Sequence, residues 1–520
     1  MAIDADVVPR SIKDADYASG ASAPKAAGGQ GPPFLVGDVV LRRRLAVVPL
    51  VLGVLYTLGL VVFAYRYATF VGDDLSTFYA LRTQPFGTYL IGLLGGQLVV
   101  LHRLVTYVLY RVATMHFLPA VLILGALHLT GAAYMYRTLE TMRPSRVNAV
   151  LIAYYLMSVF VGIQLTWWSS GLTRVGYIAC AAVAIFHYVR HARTGENREL
   201  VLVLVVGLAA FGFYAKALLI PLYCAAVDLV SGVEKTRLDR RKWLLRLGTL
   251  AVLLAFGVVY SVISRALLPV ALRRLNTNFA FQGLFVTACF EIFVGSLADR
   301  ALWLFERPPL WFIAVAVAFV VYSSARSRRA LLAWALAAAL VVVNFLLVGL
   351  SSRTLVFPIE TAVEYRHYFE LLFFLVLLVG TVLHRLEDTP EGRFIAARDP
   401  RWTSAAMLAV LALHGHFSAR TLRHVLRANP LYAHMPDCRS YLDNLRADLS
   451  ALERKGGATP AFADGVFPPE LALLDFSFRN YSQLFLVLGA ETRFVPLREA
   501  RYAVAPDGHV VRMQRGHIVP

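Results

Sequence analysis

Long apolar stretches dominate this chain and restrict its possible folds more than any single motif does. Stretches of roughly 20 apolar residues, the length that crosses a bilayer as a helix, recur between positions 45 and 418. Charged residues make up only 16% of the chain, whereas a soluble domain has about 25%. We therefore predict an all-α polytopic membrane protein with about 11 transmembrane helices. The predicted spans are 45–70, 117–136, 147–165, 172–189, 199–215, 217–230, 243–263, 309–323, 330–350, 368–384 and 403–418.

The distribution of basic residues predicts the orientation in the plasma membrane. Three arginines, 42–44, directly precede the first span, and the loop 234–242 is one of several basic loops on the same predicted side. Basic loops stay in the cytoplasm, so we expect a cytoplasmic N-terminus. An odd number of spans then makes the C-terminus extracytoplasmic. The net charge of +18 follows from this topology, and we expect no nucleic-acid partner.

The chain divides into three predicted regions. Residues 1–40 form a disordered cytosolic tail whose start, rich in Ala, Gly, Ser and Pro, has no signal-peptide pattern. Residues 41–418 form the transmembrane domain. Residues 419–520 combine a helical pattern with β-like runs, which predicts a small α/β extracytoplasmic domain. The long outer segments of the transmembrane domain are 71–116, 264–308 and 351–367.

The four cysteines show no metal-binding spacing. Cys180 and Cys224 lie in apolar spans, which is typical of core residues. Cys289 and Cys438 both fall on the predicted outer side, where a disulfide between them is one possibility. The sequence contains no Walker motif, dinucleotide-binding glycine pattern, zinc motif or internal repeat.

Asp73 and Asp74 follow the first span at the point where it leaves the membrane. One carboxylate could act as a general base toward an acceptor hydroxyl while the other orients that hydroxyl or holds a divalent cation. The alternative is a solvated pair at the membrane boundary, or a helix N-cap before the run LSTFYALR. The sequence leaves both interpretations open.

Further candidates for substrate binding lie in the predicted outer segments. Arg82, His102 and Arg103 belong to segment 71–116, and the last two interrupt an amphipathic apolar stretch. They could bind phosphate, or His102 and Arg103 could extend to the membrane interface. Trp167 and Trp168 could form a platform for a sugar ring or a polyprenyl chain, or could anchor the chain at the interface.

Ionisable residues also lie at the predicted outer ends of two later spans. Lys216 stands between two apolar runs, where a cation needs a partner such as a lipid phosphate or a carboxylate. Glu364, Arg366 and His367 precede the tenth span and could bind phosphate or sugar hydroxyls. A solvated helix start is the alternative for these three residues.

Several short motifs resemble those of the GT-C superfamily of polytopic glycosyltransferases, and particularly its actinobacterial members. They are GDD after the first span with the amphipathic segment behind it, LTWWSSGLTR, FYAKALLIP, and YRHY before a late span. The resemblance implies a hexosyl- or pentosyltransferase that takes its sugar from a polyprenyl-phosphate donor. The acceptor would be an envelope glycan, lipid or protein at the outer face.

The resemblance also implies roles for individual residues. Asp73 or Asp74 would be the base, with a weak preference for Asp74, and Arg103, Lys216 and Arg366 would bind the donor phosphate. Similar sequences often have an acidic residue before the lysine, where this chain has Ala215. No cofactor is certain, and a divalent cation at the aspartates is left open.

Two other functions compete with this interpretation. A lipid or glycan transporter, or a flippase, would favour ionisable groups near mid-membrane and repeated halves, which the sequence does not display. A non-catalytic envelope assembly protein would use its C-terminal domain to bind a partner.

Overall fold

The structure is a computed structural model that describes most of the chain. The described residues are 35–231, 240–269, 273–298, 307–351, 353–356, 361–362, 364–387, 389–390, 400–455, 459–472, 478–514 and 517–519. Helices make up most of them, and a small sheet lies near the C-terminal end, which confirms the predicted fold class. Residues 1–34 of the predicted tail lie outside the described residues. Residues 35–40, which the prediction also placed in the tail, form the start of α1.

The α-helices are α1 (Leu35–Tyr67), α2 (Asp73–Thr83), α3 (Phe86–Leu90), α4 (Val100–Val112), α5 (Phe117–Met142), α6 (Arg146–Leu156), α7 (Val159–Leu165), α8 (Trp168–Thr194), α9 (Asn197–Phe211), α10 (Ile220–Ser231), α11 (Arg240–Ala266), α12 (Phe279–Leu297), α13 (Leu310–Arg326), α14 (Arg328–Gly349), α15 (Arg353–Val356), α16 (Phe369–Leu386), α17 (Pro400–Ala428), α18 (Pro430–Ala433), α19 (Met435–Arg454), α20 (Pro469–Ala472) and α21 (Tyr481–Leu488). Short 3-10 helices cover Ala215–Leu219 and Tyr365–His367. The strands are β1 (Leu93–Leu94), β2 (Gln97–Leu98), β3 (Ala461–Ala463), β4 (Arg493–Val495), β5 (Tyr502–Val504), β6 (Val510–Gln514) and β7 (His517–Val519).

Within the described residues, seven helices are long and apolar enough to cross a membrane. They are residues 47–67 of α1 together with α5, α8, α11, α12, α14 and α16. The pair α6–α7, bent by 48°, makes an eighth if it is counted as one span. The chain is therefore a multi-pass membrane protein.

A helix occupies each of the predicted span positions, but some are shorter or more polar than expected. The helices α9, α10 and α13 have 15, 12 and 17 residues. Helix α17 has 29 residues, but His414 and His416 interrupt its apolar part and lower its mean hydropathy. Conversely, α12 lies within segment 264–308, which the sequence analysis assigned to an outer loop, although by length and composition α12 is a candidate span.

The sharp return from α7 into α8 depends on one glycine. Gly171 lies so close to the carbonyl oxygen of Gln164 that an added Cβ would stand 2.1 Å from it. Any larger residue would therefore push the two helices apart. This close approach fixes the position of the first turn of α8, which forms part of the site described below.

A small C-terminal domain packs against the end of the helical bundle where α1 ends. Its five-stranded sheet has the order β4-β3-β5-β6-β7, in which β3 is parallel to both neighbours and the other pairs are antiparallel. The Tyr110 hydroxyl donates to the carbonyl of Val487 at 2.7 Å. The backbone N–H of Gly72 donates to the carbonyl of Leu471 at 2.8 Å. The domain therefore lies at the same end of the bundle as Asp73.

All four cysteines are free. A disulfide between Cys289 and Cys438 is therefore wrong. Both side chains are buried in packed helices, Cys289 in α12 and Cys438 in α19, which accounts for them as small core residues.

Candidate active site

A cavity of about 310 Å³ opens at the end of the bundle where α1 leads into α2. Residues from α2, the β1–β2 turn, the first turn of α8, the segment after α9, the end of α14 and the segment before α16 meet there. The ionisable side chains that line it are Asp73, Arg174, Lys216, Arg366 and His367. Hydroxyl and amide groups add polar contacts, contributed by Gln97, Ser169, Ser170, Thr173, Tyr214, Ser261 and Ser351.

The two adjacent aspartates point in different directions and have different surroundings. Asp73 lines the cavity and is partly exposed. Asp74 is 0% exposed, and its Oδ1 accepts hydrogen bonds from the Ser169 backbone N–H, at 2.7 Å, and from the Ser169 hydroxyl. Asp74 therefore fastens the start of α8 to the start of α2, whereas Asp73 is the carboxylate that a substrate could reach.

The pKa of Asp74 reflects its buried position. Burial raises the pKa of this carboxyl from 3.8 to about 7, although the hydrogen bonds from Ser169 oppose the rise. The nearby charge of Asp73 raises it further. A carboxyl in this environment gains a proton near neutral pH while it remains a structural link.

A buried carboxylate joins two of the cavity's cations. Glu370, at the start of α16, is 0% exposed. Its Oε2 lies 2.7 Å from Lys216 Nζ, and its Oε1 lies 3.5 Å from Arg174 Nε. The side-chain oxygen of Asn344 accepts a second hydrogen bond from Lys216 at 2.5 Å. Lys216 thus has the acidic partner that the sequence could not identify, and it comes from a helix far along the chain.

A second ionic cluster stands beside the first. Arg366 Nε donates to Glu364 Oε2 at 2.6 Å, and His367 Nε2 lies 3.0 Å from the same oxygen. The Arg366 guanidinium lies over the Trp167 ring, 4.8 Å from its centroid. These contacts hold the Arg366 side chain in one orientation at the cavity wall.

His367 is held as a neutral ring with a defined tautomer. Burial holds the pKa of His367 well below its usual range. The guanidinium of Arg174 can only donate, so the nitrogen that it approaches at 3.3 Å, Nδ1, must accept. The other nitrogen, Nε2, therefore carries the hydrogen and donates to Glu364.

The remaining predicted binding residues do not line the cavity. Arg103 donates to the carbonyl of Leu93 at 2.7 Å and stacks on Tyr89. His102 is fully buried, and burial lowers its pKa to about 3. Trp168 donates from Nε1 to the Thr106 hydroxyl at 3.1 Å.

The side chains of His102, Arg103 and Trp168 are therefore buried in the protein outside the cavity lining. The other three predicted binding residues outside the cavity lining are Arg82, Trp167 and Glu364, of which Glu364 is the partner of Arg366. Arg82 is exposed in the last turn of α2, and Trp167 supports Arg366.

Sequence reasoning did not select Arg174, Asn344 and Glu370 as site residues. A usable signal did exist, since Arg174 and Glu370 lie inside the predicted spans 172–189 and 368–384, where a charge needs a partner. Their opposite signs would have suggested a pair.

Within the described residues, no group of three or more His, Cys, Asp or Glu side chains is arranged to hold a metal ion. Asp74 is occupied by Ser169, which leaves Asp73 as the carboxylate of the pair that lines the cavity. The donor set at the aspartates therefore fits a resident divalent cation poorly.

Comparisons with known proteins give a distant likeness only. No protein-family model matches the chain, and no curated protein sequence matches it. The crystal structure of ArnT from Cupriavidus metallidurans bound to undecaprenyl phosphate is 14% identical, with a TM-score of 0.45 over 88% of this chain and 86% of that one. The apo ArnT structure is 13% identical, with a TM-score of 0.47 over 88% and 85%. This likeness is too distant to transfer a function to the present chain.

Proposed function

We propose that this chain is a membrane glycosyltransferase that moves a sugar from a polyprenyl-phosphate donor to a hydroxyl of an envelope acceptor. One observation carries the proposal. Asp73 faces a cavity at the end of a membrane bundle, and the other ionisable groups of its lining are Arg174, Lys216, Arg366 and His367. A carboxylate opposite a cationic wall suits a reaction in which a hydroxyl loses a proton and a phosphate leaves.

Asp73 is the proposed general base. An acceptor hydroxyl has a pKa far above 7, so it needs a placed base when it attacks the anomeric carbon. In this step the new bond joins the acceptor oxygen to the sugar, the bond from the sugar to the donor phosphate breaks, and the proton passes to Asp73. We do not propose Asp74 for this part because it is 0% exposed and its Oδ1 already accepts two hydrogen bonds from Ser169.

Lys216 and Arg174 are the proposed partners of the donor phosphate. Both line the cavity, and both form an ion pair with Glu370, which neutralises part of their charge. Because one carboxylate is shared by two cations, the pair retains net positive charge toward the cavity. Cations that are fixed before the reaction stabilise the charge that develops on the leaving phosphate.

Arg366 and the neutral His367 complete the binding wall. Glu364 and Trp167 fix Arg366, so its guanidinium offers its remaining N–H groups in one geometry. Because the Arg366 guanidinium is held in one orientation, it favours binding of a phosphate or of sugar hydroxyls over binding of a mobile counterion. We assign no residue of this wall to a divalent cation and expect the reaction to proceed in a chelator.

The sidedness belongs to the same proposal. The cavity and the C-terminal domain share one end of the bundle, and the basic loops predict that this end faces out of the plasma membrane. Nucleotide sugars are scarce outside the cell, so a transferase there needs a lipid-linked donor. The acceptor would be an envelope glycan, lipid or protein.

Sugar transfer by the purified full-length protein tests the proposal. The protein in lipid nanodiscs would be incubated with a panel of polyprenyl-phosphate-linked pentoses and hexoses and with envelope extract, and labelled products would be separated by mass. We expect label transfer from one donor in wild type, loss in Asp73→Asn, and retention in the matched neighbour variant Asp74→Asn. Movement of an intact donor across vesicles without cleavage would indicate a flippase instead.

A further inference from the structure

Helix α17 carries one outward-facing stripe that changes character halfway along. Its positions recur every three or four residues, which keeps them on one side of a helix. The first part is exposed and apolar, made of Val410 (63%), Leu413 (57%) and Phe417 (41%). The second part is exposed and basic, made of Arg420, Arg423, His424 and Arg427. We call these four residues the basic stripe.

The position of α17 places this stripe on the perimeter of the bundle. Helix α17 packs along α1, α6 and α7, so its outward side faces away from the protein. The Tyr67 hydroxyl, at the end of α1, donates to the carbonyl of Leu426 at 3.2 Å. The basic stripe therefore lies at the end of the bundle that contains the cavity, directly beyond the apolar part of the same helix face.

The basic stripe borders a surface groove of about 420 Å³. The groove is lined by His416, Ala419, Arg420, Arg423, His424 and Arg427. None of the three arginines forms an ion pair with a carboxylate of the described chain. Their charges therefore face the surroundings, whereas the arginines of the cavity are paired with glutamates.

Membrane orientation does not account for these arginines. Basic residues that set orientation accumulate on the cytoplasmic side, but the stripe lies at the end predicted to be extracytoplasmic. Three arginines on one face would repel one another unless anions lie between them. The stripe begins where the apolar part of the helix face ends, and the anions available at that level are the phosphates of lipid headgroups.

We propose that the basic stripe binds the headgroups of anionic phospholipids in the leaflet at the cavity end. The guanidinium groups donate paired hydrogen bonds to the phosphate, and Val410, Leu413 and Phe417 contact the acyl chains below. Phosphate chemistry and apolar continuity together select a lipid over a soluble anion. This binding site is separate from the cavity and does not depend on the proposed transferase activity.

Lipid retention by the full-length protein tests this binding site. The protein would be equilibrated with mixed phosphatidylcholine and phosphatidylglycerol, and the lipids that remain bound would be counted by native mass spectrometry. We expect wild type to retain phosphatidylglycerol preferentially. The variant Arg420→Gln, Arg423→Gln, Arg427→Gln should lose on the order of fivefold in this preference for each arginine removed.

Two control variants separate a lipid site from a general effect of charge. Replacing Arg498, Arg501 and Arg512 with Gln removes the same charge from exposed positions of the C-terminal domain and should leave the preference unchanged. Replacing the three stripe arginines with Lys should restore only part of it, because lysine keeps the charge but not the paired hydrogen bonds. The proposal is wrong if the stripe variant keeps the wild-type preference, if both Gln variants lose it equally, or if inorganic phosphate displaces the lipid at low concentration.

Discussion

Buried charges are arranged differently at the two ends of the helical bundle. At the end away from the cavity, Glu199 lies 3.3 Å from Arg190 and 3.5 Å from Arg198, and His187 Nδ1 lies 2.5 Å from its other oxygen. Asp228 there is paired with the buried Arg246 at 2.7 Å. Each of these two carboxylates therefore has at least one arginine partner.

At the cavity end, one carboxylate is shared by two cations that remain accessible. Glu370 contacts both Lys216 and Arg174, and both cations line the cavity together with Asp73. In ion pairs that only stabilise a fold, each charge tends to be neutralised completely. A site that binds an anion must instead retain positive charge that is not neutralised. Under the proposed function, the pairs at one end stabilise the fold and those at the other end bind an anion.

The largest expected effect is loss of the cavity carboxylate. Asp73→Asn should lower kcat for sugar transfer by about 10²- to 10⁴-fold, because the amide cannot accept the acceptor's proton. The measurement is single-turnover transfer with a saturating donor. Asp74→Asn is the matched control, since its amide oxygen can still accept from Ser169. If Asp73→Asn is as active as wild type, Asp73 is not the general base.

Removing one cavity cation should have the next largest effect. Lys216→Gln or Arg174→Gln loses one charge-assisted interaction with the donor phosphate, worth about 1.5 to 3 kcal/mol. Donor affinity or kcat/KM should therefore fall by about 10- to 100-fold, with weaker inhibition by a polyprenyl-phosphate product. Binding of a non-phosphorylated polyprenol should be unaffected. If phosphate and alcohol binding fall together, the cations have a structural role only.

The same kind of change at the opposite end should affect stability and leave chemistry unchanged. Asp228→Asn leaves the buried Arg246 without its carboxylate, which should cost about 3 kcal/mol of stability. Thermal unfolding of the purified protein measures this cost. Turnover per folded molecule should stay at the wild-type value. A change in donor affinity in this variant would mean that the two ends are coupled.

The last expected effect concerns pH. The pKa of Asp74 is about 7 in the folded protein, above the ordinary value of 3.8. Between these two values the unfolded chain has released this proton and the folded chain still holds it, so this contribution to stability is lost as pH rises from about 4 to about 7. Asp74→Asn should flatten the pH dependence of stability in that window. An unchanged slope would show that Asp74 titrates normally.

The sequence was sufficient for the fold class because apolar length and charge-poor stretches are local properties. It also selected Asp73, Lys216, Arg366 and His367, which the structure brings to one cavity, although their roles stay predictions. It could not identify Glu370 as the partner of Lys216, which lies 154 positions earlier in the chain. Hydropathy is a property of each helix alone and does not show which helix faces pack against each other.

The weak preference for Asp74 over Asp73 as the base shows the same limit of sequence-based prediction, here for two adjacent residues. Adjacent residues on a helix point in different directions, but the sequence does not say which direction leads to the cavity. That choice depends on the packing of Ser169, at the start of α8, against Asp74. His102 and Arg103 lie outside the cavity lining, which the sequence did not anticipate for a related reason: an amphipathic pattern shows that one face differs without showing which face is buried.

Gly72 connects the proposed base to the far end of the chain. Its φ of 51° is a conformation that suits glycine, and its N–H is held by the carbonyl of Leu471 in the C-terminal domain at 2.8 Å. The position of Asp73 is therefore set partly by a segment almost 400 residues downstream. A chimera that kept this bundle but took its C-terminal domain from another protein would misplace Asp73 unless the new domain offered a carbonyl at the same point.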